Sequence, residues 1–148
     1  MKFLAILMLH AIIAHAFTGE NPAVENTYVK VSVSLADTTA AQGGTGKIMI
    51  AFTPTDGIHI NADPPLVVKI ERNGPVKLEG RPNFTTDKES GNLSIFKPVA
   101  QRFAVTRKAK PGGHDIKGTL VYYFCSDTEG WCRKFTQPIA LKLNVVKK

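Results

Sequence analysis

"VKVSVSL" at residues 29–35 and "KIMIAFTP" at residues 47–54 decide the fold. In the first, Val29, Val31, Val33 and Leu35 alternate with Lys30, Ser32 and Ser34. In the second, Ile48, Ile50 and Phe52 repeat that alternation up to Pro54. A period of two puts successive side chains on opposite faces of an extended chain, so each stretch reads as a strand with one buried face. Between them "AQGGTG" breaks the pattern, and after them "PTDG" reads as a turn.

Working outward, the same logic predicts strands over Ile58 to Asn61, Leu66 to Glu71, Val76 to Leu78, Arg102 to Thr106, Ile116 to Phe124, and Phe135 to Val146. In the last, Ile139, Leu141, Leu143 and Val145 face one way while Ala140, Lys142 and Asn144 face the other. No window sustains an apolar repeat at helical spacing, and the glycines and prolines fall between the apolar runs. The chain is therefore predicted to be all-β. Short strands separated by turn signals, in a domain slightly longer than a hundred residues, favour an immunoglobulin-like β-sandwich over a closed barrel. The polar stretch Asn83 to Gly91, "NFTTDKESG", carries no period and is expected to be an exposed, poorly packed loop.

Upstream of the first strand, Lys2 precedes an apolar run from Phe3 to Ile13, broken by His10 and followed by Ala14-His15-Ala16. That order of charge, apolar run and small residues reads as a secretory signal peptide over 1–16, cleaved after Ala16. The run is shorter than the roughly 20 residues a spanning helix needs, which argues against a membrane anchor once the chain is processed. Residues 17–148 then form one domain with a single core. Export, to a periplasmic or extracellular space, also places the chain where a disulfide can persist.

The formal net charge of +7 includes Lys2 of the leader. The remaining basic residues are scattered from Lys30 to Lys148, and the densest group, Arg107-Lys108-Ala109-Lys110, sits beside the turn "PGGHD". Nucleic-acid binding needs a basic stripe with interleaved aromatic residues, and none is present; the charges read as a solvated surface.

Cys125 and Cys132 are the only cysteines, and "SDTEGW" between them reads as a hairpin loop. Residues flanking such a loop face each other across the hairpin at a separation a disulfide tolerates. A bridge closing so short a loop contributes only about 2.5 kcal/mol by chain entropy. An immunoglobulin-type domain stapled for stability joins its two sheets instead, whereas here both cysteines lie on one hairpin at the edge of the fold. Spacing alone leaves a structural staple and a redox role equally open. Trp131, beside Cys132, is placed to shield the sulfurs or meet a partner. No metal site is expected, because beyond His59, His114 and Met49 the processed chain offers the two thiols no further soft or imidazole ligand. Asp127 and Glu129 form an acidic pair on the same loop, but no Ser/His/Asp grouping accompanies them, so hydrolysis is poorly supported. The sequons Asn83-Phe84-Thr85 and Asn92-Leu93-Ser94 are given no role.

"DGIHINADPP", residues 56–65, together with "GTLVYYFCSDTEGWC", residues 118–132, resembles the amino-terminal exported domains of the thiol:disulfide interchange protein DsbD family, over about Val29 to Val146. The resemblance implies an immunoglobulin-like fold, no cofactor, and a reversible cysteine pair that relays electrons between thioredoxin-like exported proteins or a membrane thiol reductase. It implies that Cys132 forms mixed disulfides with partners and Cys125 resolves them. The positive charges of Arg133 and Lys134 point independently to Cys132 as the more acidic thiol. In that family a cap loop with a phenylalanine covers the disulfide. The corresponding stretch here, Thr85 to Gly91, has no aromatic residue, so shielding falls to Phe84, Phe96 or Trp131, and His59 is a candidate to stabilise a thiolate. The competing reading is a non-catalytic envelope binding module whose disulfide is structural.

Overall fold

The computed structural model describes residues 26–148, so the leader expected over 1–16 and residues 17–25 lie outside the described residues. The described residues form nine strands and no helix. They are β1 (Val29–Leu35), β2 (Thr39–Ala41), β3 (Thr45–Pro54), β4 (Ile58–Ile60), β5 (Val67–Ile70), β6 (Val76–Asn83), β7 (Val99–Val105), β8 (Gly112–Ser126) and β9 (Cys132–Val146). Among them no helix is long and apolar enough to cross a membrane.

One sheet runs β1-β3-β7-β6 and the other β2-β9-β8-β4, with β5 also paired to β8. Every pairing is antiparallel except β2 with β9. β2 follows directly from β1 yet crosses to the opposite sheet, where Thr39 to Ala41 run parallel to Asn144 to Val146. These are the two sheets of a constant-type immunoglobulin sandwich, ABED facing CFG, with the first strand split between them and the C strand divided into β4 and β5. The expected fold class is what the chain adopts.

The alternating residues meet where the sheets face each other. Ile48, Ile50 and Phe52 of β3, Val99, Phe103 and Val105 of β7, Leu120, Tyr122 and Phe124 of β8, and Ile139, Leu143 and Val145 of β9 are buried. Immunoglobulin domains tie the strands equivalent to β3 and β8 with a disulfide. Here Phe52 and Tyr122 bridge them instead, ring edge to ring face at 5.1 Å.

β8 and β9 form one long hairpin, in register from Gly112↔Val145 to Cys125↔Cys132. Its inner strand, β8, runs through the middle of its sheet between β9 and the pair β4 and β5. Its outer strand, β9, is covered by β2 only at Asn144–Val146, so at the cysteine end β9 is the sheet edge. The hairpin places one cysteine inside the sheet and the other on its rim.

The segment from Asn83 to Gly91 is exposed and little packed, as expected, yet its backbone is ordered by hydrogen bonds. Oδ1 of Asp87 accepts hydrogen bonds from the backbone N–H groups of Glu89 (3.1 Å) and Ser90 (2.9 Å) and from the Ser90 hydroxyl (3.0 Å). Thr86 bridges Leu93, and the Leu93 N–H donates to the Ile60 carbonyl at 2.9 Å, laying the segment along the free edge of β4. Short polar side chains that satisfy nearby backbone give a loop order that a search for apolar periods overlooks.

Candidate functional site

The cysteines close the β8–β9 hairpin. The Ser126 N–H donates to the Trp131 carbonyl at 2.9 Å, which makes the next pair outward along the ladder, Cys125 and Cys132, a non-hydrogen-bonded pair whose side chains stand close. Their Cα atoms are 4.0 Å apart and their sulfurs are bonded. The turn is held by Ser126, whose carbonyl accepts from the Gly130 N–H (3.1 Å) and whose hydroxyl accepts from the Glu129 N–H (3.1 Å). Gly130 takes a φ of 70°, the left-handed conformation that closes the turn at little steric cost.

The two sulfurs sit in different surroundings. Cys125 is 6% exposed, whereas Cys132 is exposed. The pleat explains which groups face them. Leu120, Tyr122 and Phe124 turn into the core, so Cys125 and Tyr123 turn to the outer face. His59 of β4 is directly opposite Cys125, which is directly opposite Cys132, so three strands place these side chains in one row. Asn61, two residues beyond His59, lies on the same face, and its Oδ1 is 3.1 Å from the Cys125 sulfur.

The hairpin turn reaches this row as well. The Asp127 N–H donates to the Gly57 carbonyl at 2.9 Å, drawing the turn against the bend before β4. The Asp127 carboxylate then lies 2.7 Å from Nδ1 of His59. Nδ1 is sealed from solvent, and its short approach to Asp127 lacks the geometry of a hydrogen bond. One side of a cavity of about 170 Å³ is formed by Ile58, His59 and Ile60, and the other by Asp87, Ser90 and Phe96 of the loop.

The candidate residues are only partly brought together. Cys125, Cys132 and His59 form the row. Phe96 is 90% exposed at the rim of the cavity that His59 lines. Phe84 packs against the core and lines a groove with Leu66, Val68, Pro82 and Gln101, none of them on the strands that carry the sulfurs. Trp131 stacks edge-on with Tyr28 (5.1 Å) and Phe124 (5.8 Å), which puts the indole on the Phe124 face of the hairpin, and its Nε1 donates to Glu129. Arg133 lies over the same rings, 4.3 Å from that of Trp131 and 5.4 Å from that of Tyr28. Its charge is thus engaged on the face away from the sulfurs, and Lys134, two residues from Cys132, is the basic side chain that shares theirs.

Two participants, Asn61 and the pairing of His59 with Asp127, were not singled out from the sequence. The first had a signal: in "IHIN" the two-residue step from His59 to Asn61 puts both on one face. The second had none, because it depends on how one turn meets another.

No protein-family model matches the chain, and no curated protein matches it at a significant level. Among solved structures, similar ones include the seventh ScaB type I cohesin of Pseudobacteroides cellulosolvens, 14% identical over 80% of this chain and 93% of that one, with a TM-score of 0.46. A chain of a type I cohesin–dockerin complex from Clostridium thermocellum is 11% identical over 78% of this chain and 99% of that one, with a TM-score of 0.45. The DsbD amino-terminal domain of Neisseria meningitidis, in its reduced form, is 20% identical over 79% of this chain and 86% of that one, with a TM-score of 0.40.

Proposed function

We propose that the chain is an exported thiol:disulfide exchange module, of the DsbD amino-terminal type, that relays electrons between thioredoxin-like partners or a membrane thiol reductase through a reversible Cys125–Cys132 disulfide. The observation that carries this reading is the unequal exposure of the two cysteines, with Cys132 an exposed residue on a sheet rim and Cys125 at 6% exposure behind it. A staple has no need of an open sulfur. An exchange site needs one, because the incoming thiolate must approach along the S–S axis.

A partner thiolate attacks Sγ of Cys132, the new interprotein S–S bond forms, and the Cys125–Cys132 bond breaks with Cys125 leaving as a thiolate that takes up a proton. The partner's second thiolate then attacks its own sulfur in the mixed disulfide and releases Cys132. The partner is oxidised by two electrons and the module reduced; the reverse sequence passes the pair onward. Cys132 is thus the exchanging sulfur and Cys125 the resolving one.

Equilibration with glutathione tests the reading. A relay is expected to have a reduction potential in the range of exchange proteins, above about −300 mV, and a potential well below that would identify a structural bridge. Expressed in the exported compartment, Cys125→Ser should accumulate a mixed disulfide with a thioredoxin-like protein while Cys132→Ser accumulates little. Equal trapping by both would overturn the roles.

A further inference from the structure

The leaving sulfur has a problem that the exposed one does not. Cys125 departs as a thiolate into a site that is 6% exposed, where an uncompensated negative charge is costly. Oδ1 of Asn61 lies 3.1 Å from its sulfur, a carbonyl oxygen that repels a thiolate and accepts a hydrogen bond from a thiol. The imidazole next to Cys125 across the strand pair is His59, whose Nδ1 lies 2.7 Å from the Asp127 carboxylate. While Nδ1 is sealed, the side chain as a whole retains 26% exposure, which leaves the rest of the ring in reach of water.

We propose that His59, Asp127 and Asn61 form the proton site of the buried sulfur. This rests on the exchange reading above and supplies its missing proton. As the Cys125–Cys132 bond breaks, the electron pair goes to Sγ of Cys125 and a proton passes to it from the imidazolium of His59. The thiol that results donates to Oδ1 of Asn61, and the neutral imidazole regains its proton from water. The Asp127 carboxylate, 2.7 Å from Nδ1, holds the ring beside the sulfur. On reoxidation the imidazolium first gives its proton to water, and the neutral ring then takes the proton of Cys125 as that sulfur becomes a nucleophile. Cys132, exposed and on the face of Lys134, requires no such help.

The charged groups facing the imidazole are Asp127 from the hairpin turn and Asp87 from the loop across the cavity; Lys134 of β9 shares the face two strands away, beyond the disulfide. The Asp87 carboxyl is held below the usual carboxylate range, chiefly by the backbone N–H of Ser90. It is therefore ionised throughout the pH range of the test, and its charge stays constant there.

The test is the rate of reduction by dithiothreitol between pH 5 and 9, expressed per dithiothreitol thiolate. In the wild-type protein this rate should fall as pH rises through the imidazole range, and at pH 6 His59→Gln should be slower by on the order of 10- to 100-fold with a flat profile. NMR on the unsubstituted protein supplies an independent readout. The His59 ring should titrate at different pH in the oxidised and reduced forms, and reduced Cys125 should remain a thiol to higher pH than Cys132. Superimposable wild-type and His59→Gln profiles, or a Cys125 that ionises before Cys132, would overturn the proton site. Because dithiothreitol reads the proton step whatever the natural partner, a His59-dependent profile with a structural potential supports the proton site and overturns only the exchange reading. An exchange-range potential with a His59-independent profile does the reverse.

Discussion

Asn26 performs three tasks with one side chain. Its Oδ1 accepts from the N–H groups of Tyr28 (2.9 Å) and Val29 (3.3 Å), and its Nδ2 donates to the Tyr122 hydroxyl at 2.9 Å. It therefore ties the start of β1 to the middle of β8, across the sandwich. Tyr122 is fully buried, so Asn26→Ala would strand a hydroxyl in the core, and a loss of about 1–3 kcal/mol in urea denaturation is expected. The same burial pushes the Tyr122 phenol pKa up, with the Asn26 hydrogen bond opposing it. A folded-state pKa above the unfolded one means the unfolded chain gives up its proton first. The associated stability is complete below about pH 10 and is lost as pH rises through the folded pKa. Measured against Tyr122→Phe, the wild-type protein should lose stability as pH rises above about 10, and parallel curves would contradict this sign. None of it was legible in the sequence, because a polar residue preceding a strand gives no sign of what it reaches. The row of His59, Cys125 and Cys132 was half legible, since alternation fixes which side chains share a face but not which strands lie side by side.

At the scale of elements, the strands that read clearly were those whose one face is buried and whose other is wet, such as β1, β3 and β9. The ones that read poorly owe their form to neighbours. β6 continues through Glu79, Gly80 and Arg81 because a bulge, with Gly80 at a φ of 66°, lets it bend, and the buried amide of Gln101 donates to the Glu79 carbonyl (3.2 Å) beside it. β2 is three small or polar residues that form a strand only because β9 lies next to them. Gly118 shows the same dependence from the other side. It faces Ile70 of β5, and a Cβ there would come within 2.0 Å of the Lys69 carbonyl oxygen. A backbone oxygen cannot rotate away, so Gly118→Ala should cost about 3 kcal/mol and speed exchange of the Glu71 amide, which donates to Lys117. Undiminished stability would mean β5 moves freely. In the loop, Asp87→Ala should release the amides of Glu89 and Ser90 to fast exchange. Since the Asp87 pKa is lowered, its contribution is present above the ordinary carboxylate pKa and lost as pH falls through the folded value. Acid should therefore loosen the wild-type loop and leave the variant unchanged.

For the whole molecule, the question is whether the sandwich depends on its one disulfide. The bridge joins residues seven apart, both within a hairpin that is in register along its length, so it restrains a part of the unfolded chain that was already short. Its chain-entropy contribution is about 2.5 kcal/mol, against a core that draws on both sheets and is closed across the strands equivalent to an immunoglobulin staple by the Phe52–Tyr122 contact. The aromatic group of Tyr28, Phe124 and Trp131 with Arg133 above it anchors the cysteine end of the hairpin from the face opposite the sulfurs, so it persists when they part. Reduction should accordingly leave the far-UV circular dichroism of the β-sandwich unchanged and lower the denaturation midpoint by no more than a few kcal/mol's worth. A fold that survives both redox states is what an exchange module requires, since it must be competent to meet one partner oxidised and the next reduced. Collapse of the β signal on reduction would make the bridge a structural staple, whatever the exposure of Cys132.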